Sequence, residues 1–297
     1  MLQQLITSLL EGNRKTLARC ISIIENEVPG YEQLLQLIPE NRTPVIGLTG
    51  PPGAGKSSLT DALIGRIVQE DKSAAILCVD PSSPFNLGSL LGDRIRMNSW
   101  YNNPKVFIRS LATRGSLGGL HPKIIEICDL MKVAGFDYII VETVGVGQSE
   151  IEIAGLADIT AVVLVPEAGD EVQTMKAGLM EIADVFVVNK SDRPGADLFV
   201  KNLRAMLPAN LQSGNKEIPV IKTIATNKEG VEEFFLYIKK ACLENRVNSR
   251  RYWLLAEKAY QLICRKRMND IDKAKLKAEI ESIGEEFNLY RYISRYG

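Results

Sequence analysis

The stretch VIGLTGPPGAGKSS, residues 45–58, decides the fold. Val45–Leu48 is an apolar run of strand length, and Ser57–Gln69 carries apolar residues at helical spacing. Between them, Gly50 to Ser57 satisfies G-x-x-x-x-G-K-[ST], in the strand–turn–helix context that this pattern needs to bind phosphate. Gly50, Gly53 and Gly55 let the backbone turn tightly and present N–H groups to phosphate oxygens. Pro52, Ala54 and Ser58 complete the loop. The following helix adds its free N-terminal N–H groups and the positive end of its dipole. Lys56 supplies a charge to the β and γ phosphates, and the Ser57 hydroxyl is a hard oxygen suited to Mg2+.

Working outward, apolar runs alternate with helical stretches from Thr43 to about Ile238. The further runs are Ala74–Val79, Val106–Ile108, Tyr138–Val141, Thr160–Val165, Val185–Val188 and Val220–Ile224. Most are nearly continuous in Val and Ile, as parallel strands buried on both faces require. Helical patterns cover Pro122–Ala134, Glu171–Ala183 and Asp197–Met206. The predicted fold is α/β, a P-loop NTPase with a mostly parallel sheet flanked by helices. Its ligand belongs at the carboxyl ends of the strands.

Carboxylates at strand ends are the candidates for a magnesium-bound nucleotide. Asp80 follows one strand and precedes Pro-Ser-Ser-Pro, and Glu142 follows another. Asp93 lies after a glycine-containing stretch, where a helix cap before Arg94 is the alternative. Gly145, three residues past Glu142, can bring its N–H to the γ-phosphate, so the loop beyond can sense that phosphate. Val146 cannot polarise water where some GTPases use glutamine near this loop. Gln148 stands at a different place, so slow intrinsic hydrolysis and help from a partner are expected.

Strand Val185–Val188 runs into Asn189-Lys190-Ser191-Asp192, which fits N-K-x-D. Guanine offers two adjacent donors, N1–H and the 2-amino group, and one ionised carboxylate accepts both. Asp192 is the reader, the Lys190 stem covers the base face, and Asn189 ties this loop to the phosphate loop. Ala225, Thr226 and Asn227 either close the base pocket with backbone N–H groups or form an ordinary turn.

The remainder is organised around this centre. Residues 1–42 read as short amphipathic helices, 43–243 as the nucleotide-binding domain and 244–297 as a helical arm. In the arm, Trp253, Leu254, Ala256, Tyr260 and Ile263 fall on one stripe, to be covered by a second chain or by the chain's own core. The chain has 297 residues, with 36 Lys plus Arg against 36 Asp plus Glu. That balance argues against a nucleic-acid partner. Five cysteines without C-x-x-C spacing argue against a disulfide framework or a zinc site and fit a reducing cytoplasm. The first residues do not read as a signal peptide, and no apolar run approaches the roughly 20 residues that span a bilayer. No lipidation motif is seen. His121, the single histidine, reads as a helix start rather than a metal ligand.

Taken together, GPPGAGKSS at 50–58, VDPSSPFNLGSLLGDRIRM at 79–97, LATRGSLGGL at 111–120, VETVGVGQSE at 141–150, PEAGDEVQTMKAG at 166–178 and NKSD at 189–192 resemble the ArgK/MeaB family of P-loop GTPases. The resemblance implies a GTPase using GTP, GDP and Mg2+. It also implies a chaperone of an adenosylcobalamin-dependent acyl-CoA mutase, usually methylmalonyl-CoA mutase, that gates cofactor loading and protects or reactivates the mutase. It further implies a homodimer formed through the C-terminal arm. By position it puts Ser57, Asp80, Asp93 and Glu142 in the magnesium region, Lys56, Glu142 and Lys176 in catalysis, and Asp93, Gly145, Gln148, Asp170 and Gln173 in segments that respond to nucleotide. From chemistry alone, Asp170 and Glu171 are acidic residues starting a helix. Two departures stand out: Glu167 where glycine is usual, and Ser191 where alanine is common. Two other functions stay open on sequence: a nucleotide-dependent kinase or ATPase linked to amino-acid transport, and an interaction protein merely stabilised by nucleotide.

Overall fold

A computed structural model describes residues 2–80, 97–114, 120–145, 149–168, 177–207, 218–244 and 248–296. Seven strands form one sheet: β1 (Val45–Thr49), β2 (Ala74–Asp80), β3 (Val106–Ala112), β4 (Tyr138–Glu142), β5 (Ile159–Leu164), β6 (Val185–Val188) and β7 (Val220–Lys222). Their order is β3-β2-β4-β1-β5-β6-β7, and every pairing is parallel. The sheet is thus wholly parallel, and β1, β2 and β5 are buried along their whole length. This explains the unbroken Val/Ile runs: strands covered by helices on both faces have no polar side to show.

β1 lies at the centre between β4 and β5. The connection from β1 leads to one half of the sheet, and β5 to β7 fill the other. The loops leaving β1 and its neighbours therefore diverge and open a crevice at their carboxyl ends. Helix α4 (Lys56–Gln69) leaves β1 and buries Leu59, Leu63 and Ile67. It packs beside a helix at Val231–Leu243, whose Phe234 and Phe235 are fully buried.

Helices α1 (Leu2–Leu10), α2 (Arg14–Glu25) and α3 (Tyr31–Leu37) precede the sheet. α2 buries Leu17, Cys20, Ile21 and Ile24, the stripe read from the sequence, and packs on α5 (Ile124–Val133). Arg14 lies 3.6 Å from the centroid of the Phe136 ring and donates to Ala134 O at 3.2 Å, and burial pulls its guanidinium below the usual arginine range. Arg109 of β3 donates to Glu25 at 2.7 Å. These helices thus belong to the same compact unit as the sheet, residues 1–251.

Strand ends shift from the sequence reading. β3 runs on to Ala112 because its whole length pairs with β2, from Ala74↔Val106 to Asp80↔Ala112. β7 stops at Lys222, and Ile224 instead bridges Glu229 across a turn. Two further helices are present, α6 (Ser149–Leu156) and α9 (Val231–Leu243), with α7 (Ala177–Ile182) and α8 (Ala196–Met206) between them in the chain. α6 explains the glycine in the middle of β1: a Cβ at Gly47 would sit 2.6 Å from Ile153 Cγ1.

The second unit, residues 252–297, takes in most of α10 (Ser249–Arg267), with α11 (Lys273–Ile283) and α12 (Leu289–Ile293). Tyr292 is its one buried large hydrophobic among the described residues. Its ring lies 5.6 Å from Phe287 and 5.9 Å from Tyr296, and its hydroxyl donates to Glu279 at 2.7 Å. α10 has no buried residue, and Trp253 is 81% exposed. Among the described residues no helix is long and apolar enough to cross a membrane.

Candidate nucleotide-binding site

The loop 50–55 follows β1 with glycines where the backbone demands them. Gly50, Gly53 and Gly55 have φ of 140°, 77° and 86°. At two of them space is lacking as well: a Cβ on Gly50 would meet Val163 O at 2.1 Å, and one on Gly55 would meet Asn189 Nδ2 at 2.3 Å. Lys56 and Ser57 open α4 and are buried. Lys56 Nζ donates to Gly50 O at 2.8 Å and Pro51 O at 3.1 Å, so the ammonium is curled over the loop. Gly145 presses on the same place. Its φ is 86°, and a Cβ there would lie 2.3 Å from Gly50 O and 2.6 Å from Lys56 Nζ.

The carboxylates arrive from the neighbouring strands. Glu142 ends β4 and is only 4% exposed. It accepts from Ser57 Oγ at 2.6 Å and from Thr60 Oγ1 at 3.0 Å. Asp80 ends β2, equally buried, two residues past the Cys78↔Glu142 register pair. Buried hydroxyl and carboxylate oxygens beside a phosphate loop are the hard donor set that Mg2+ prefers. Among the described residues no three His, Cys, Asp or Glu side chains gather into a cage.

The second half of the site is the turn after β6. Asn189 is buried and reaches both ways. Its Nδ2 donates to Ala54 O at 3.0 Å, and its Oδ1 accepts from Ala225 N–H at 3.1 Å and Thr223 Oγ1 at 3.2 Å. The tie expected from the sequence is thus present, and it extends to the segment after β7. Lys190, at φ 55°, donates from Nζ to Gly53 O at 2.8 Å. Ser191 donates from both N–H and Oγ to Thr223 O, each at 3.1 Å. Asp192 stands exposed on this turn. Ala225–Asn227 forms a short 3-10 turn in which Ala225 N–H serves Asn189 and Asn227 N–H serves Ile224 O. Two of these three amides are therefore already bonded within the protein.

Lys56, Ser57, Glu142, Asp80, Asn189, Lys190, Asp192 and Gly145 thus gather at the carboxyl ends of β1, β2, β4 and β6. Asp93, Gln148, Asp170, Gln173 and Lys176 lie outside the described residues. Thr60 and Thr223 were missed by sequence reasoning. Thr60 had a weak signal: it stands three positions after Ser57, on the same helix face. His121, expected to begin a helix, lies two residues before the N-cap of α5 and accepts from Lys123 N–H through Nδ1 at 3.0 Å.

Known proteins with like sequences agree. A GTPase of Pyrococcus horikoshii is 44% identical over 244 residues, 80% of this chain and 77% of that one. The GTPase ArgK of Escherichia coli is 41% identical over 197 residues, 64% of this chain and 60% of its own. The fused isobutyryl-CoA mutase of Geobacillus kaustophilus is 38% identical over 247 residues, which are 77% of this chain but 22% of that one. Among solved structures, a LAO/AO transport system kinase matches with a TM-score of 0.70 at 26% identity, covering 99% of this chain and 97% of that one. The HypB protein of Helicobacter pylori, at 18% identity and a TM-score of 0.50, covers 77% of this chain and 97% of its own and shares the fold. The family described as methylmalonyl Co-A mutase-associated GTPase MeaB matches residues 17–274, and with the phosphate loop in place the chain belongs to that family and is a P-loop GTPase.

Proposed function

We propose that this GTPase serves an adenosylcobalamin-dependent acyl-CoA mutase, gating cofactor loading and protecting or reactivating the mutase. The observation that carries the reading is the relative in which a segment matching 77% of this chain occurs within a fused isobutyryl-CoA mutase. A chain joined covalently to an enzyme in one protein is a natural candidate to meet a separate enzyme of that class in another. Methylmalonyl-CoA mutase, named by the family, is the first candidate partner.

The site residues fit a switch of this kind. The amides of Pro52 to Ser58 and the Lys56 ammonium hold the phosphates, while Asp192 selects guanine. Ser57, with Asp80 and Glu142 and with Asp93 by resemblance, would hold Mg2+, whose charge stabilises the phosphate oxygens when it is bound. Gly145 stands against Lys56 and Gly50 O, which supports a backbone after β4 that responds to the γ-phosphate. Lys176, Gln148, Asp170 and Gln173 enter this reading by resemblance alone. Val146 in place of a water-positioning side chain supports slow turnover until a partner contributes. The exposed Trp253, Tyr252 and Tyr260 of α10 support a homodimer built on the arm.

The test is multiple-turnover phosphate release with and without candidate mutases, in apo and cofactor-loaded states. Stimulation by one mutase is expected. Unchanged turnover with every candidate mutase in every nucleotide and cofactor state would remove the chaperone reading. The transport-system kinase name of one structural relative does not displace it, since the Asn189–Asp192 turn favours guanine over ATP.

A further inference from the structure

We infer that Glu167 and Arg193 are positioning residues for guanine selection: their ion pair clamps the exit of the turn that carries Asp192. The inference rests on reading Asp192 as the acceptor for the base.

Residues 190–193 make a tight turn, closed by Arg193 N–H donating to Lys190 O at 3.1 Å. Ser191 and Asp192 occupy its two central positions. The entry of the turn is fixed several times over. Asn189 binds Ala54 O and Ala225 N–H, Lys190 Nζ binds Gly53 O, and Ser191 binds Thr223 O. Every one of those ties leads to the phosphate loop or to the segment after β7. The backbone is held on the β5 side as well, where Asn189 N–H donates to Leu164 O at 2.8 Å.

All of these hold the entry of the turn, and Arg193 adds a side-chain tie at its exit. Its Nη1 donates to Glu167 Oε1, in the 3-10 turn Pro166–Ala168 that leaves β5. The bond from Arg193 holds the Glu167 carboxyl below the usual glutamate range, and the nearby charges of Arg193 and Lys190 add to this. Glu167 thus lies within the field of both cations that flank Asp192 in sequence. A turn held at one end pivots, whereas a turn held at both ends keeps its central side chain aimed. Asp192 must aim two oxygens at two donors, N1–H and the 2-amino group, so its orientation bears on the second contact more than on affinity in general.

Both side chains are about half exposed, 49% for Glu167 and 45% for Arg193. Pairs of that kind change an equilibrium by about two- to fivefold and weaken with salt. Inosine lacks the 2-amino group, so the ratio of GDP to IDP affinity isolates the second contact. Both affinities would be measured by fluorescence titration on the full chain at low salt. Glu167→Gln is expected to lower the GDP-to-IDP ratio by about two- to fivefold, with IDP affinity little changed. The swap Glu167→Arg with Arg193→Glu is expected to restore it. An unchanged ratio in Glu167→Gln, an equal loss for both nucleotides, or a swap that restores nothing would overturn the inference. Asp192→Asn separates the two levels of the claim. If that variant keeps the wild-type ratio, the base reading itself fails. If it collapses the ratio while Glu167→Gln leaves it intact, only the clamp fails.

Discussion

Asn189→Ala removes the side chain that joins the two halves of the nucleotide site. In the wild type this buried amide makes three well-formed hydrogen bonds, to Ala54 O at 3.0 Å, Ala225 N–H at 3.1 Å and Thr223 Oγ1 at 3.2 Å. At about 1 kcal/mol each, their loss comes to about 3 kcal/mol, or roughly 150-fold in an equilibrium constant. That total divides between two measurable quantities. Where the loops keep their positions without the tie, the loss falls on folding stability; where they part, it falls on nucleotide affinity. Urea unfolding without nucleotide gives the first share, and titration with GDP gives the second. The expected sum is about 3 kcal/mol, and a sum below about 1 kcal/mol would refute the reasoning. Asn189→Asp sharpens the test. It keeps an acceptor for Ala225 N–H and Thr223 but sets a carboxylate against Ala54 O, so its loss should fall more heavily on nucleotide affinity.

Other outcomes follow from the same geometry. Lys56→Ala should lower GTP turnover by about 10²–10³ in kcat, because the only ammonium seated on the loop 50–55 from α4 is lost, and near-normal phosphate release would remove the phosphate assignment. Gly145→Ala should cut turnover at least about tenfold, since φ of 86° strains alanine by ~1–2 kcal/mol and its Cβ would displace Gly50 O or Lys56 Nζ; single-turnover hydrolysis at wild-type rate would contradict this. Asp192→Asn should move preference from guanine toward xanthine, whose 2-oxo group accepts where guanine donates, by about tenfold or more in competition binding. Replacing Trp253 and Tyr260 with serine should raise the dimer dissociation constant by about tenfold or more in sedimentation equilibrium if the exposed face of α10 is the subunit contact.

Much of this was legible in the chain for definite reasons. The parallel strands were readable because burial on both faces leaves long Val/Ile runs, and the phosphate loop was readable because glycine is needed at Gly50 and Gly55 on two counts, φ and space. The joining role of Asn189 was readable because an amide at a strand end can donate and accept at once. What stayed hidden depended on partners far along the chain. Helix α6 combines Ile153 and Leu156 with Glu150 and Glu152 in too short a stretch to show a clear period, and only the tight contact of Ile153 with Gly47 marks it. A glycine inside an otherwise apolar strand was its one signature. The length of β3 was hidden because Arg109 and Ser110 look unlike strand interior until Arg109 is seen to reach Glu25 and Ser22 of α2. The Glu167–Arg193 pair, 26 residues apart, has no local pattern at all.

The same contacts bear on how the site would work as one unit. Ala54 O and Gly53 O belong to the phosphate loop, yet their hydrogen-bond donors are Asn189 and Lys190 of the base turn. A shift of the phosphate loop that keeps these bonds would carry the base turn with it, and the reverse. A coupling of this kind is reciprocal: if occupancy of the base site favours the phosphate loop's binding arrangement, phosphate occupancy favours base binding by the same factor. Guanosine and pyrophosphate should then bind the wild-type chain with positive cooperativity, and Asn189→Ala should abolish it even where each fragment still binds. Independent binding of the two fragments to the wild type would mean that the hydrogen bonds join the loops without transmitting anything between them.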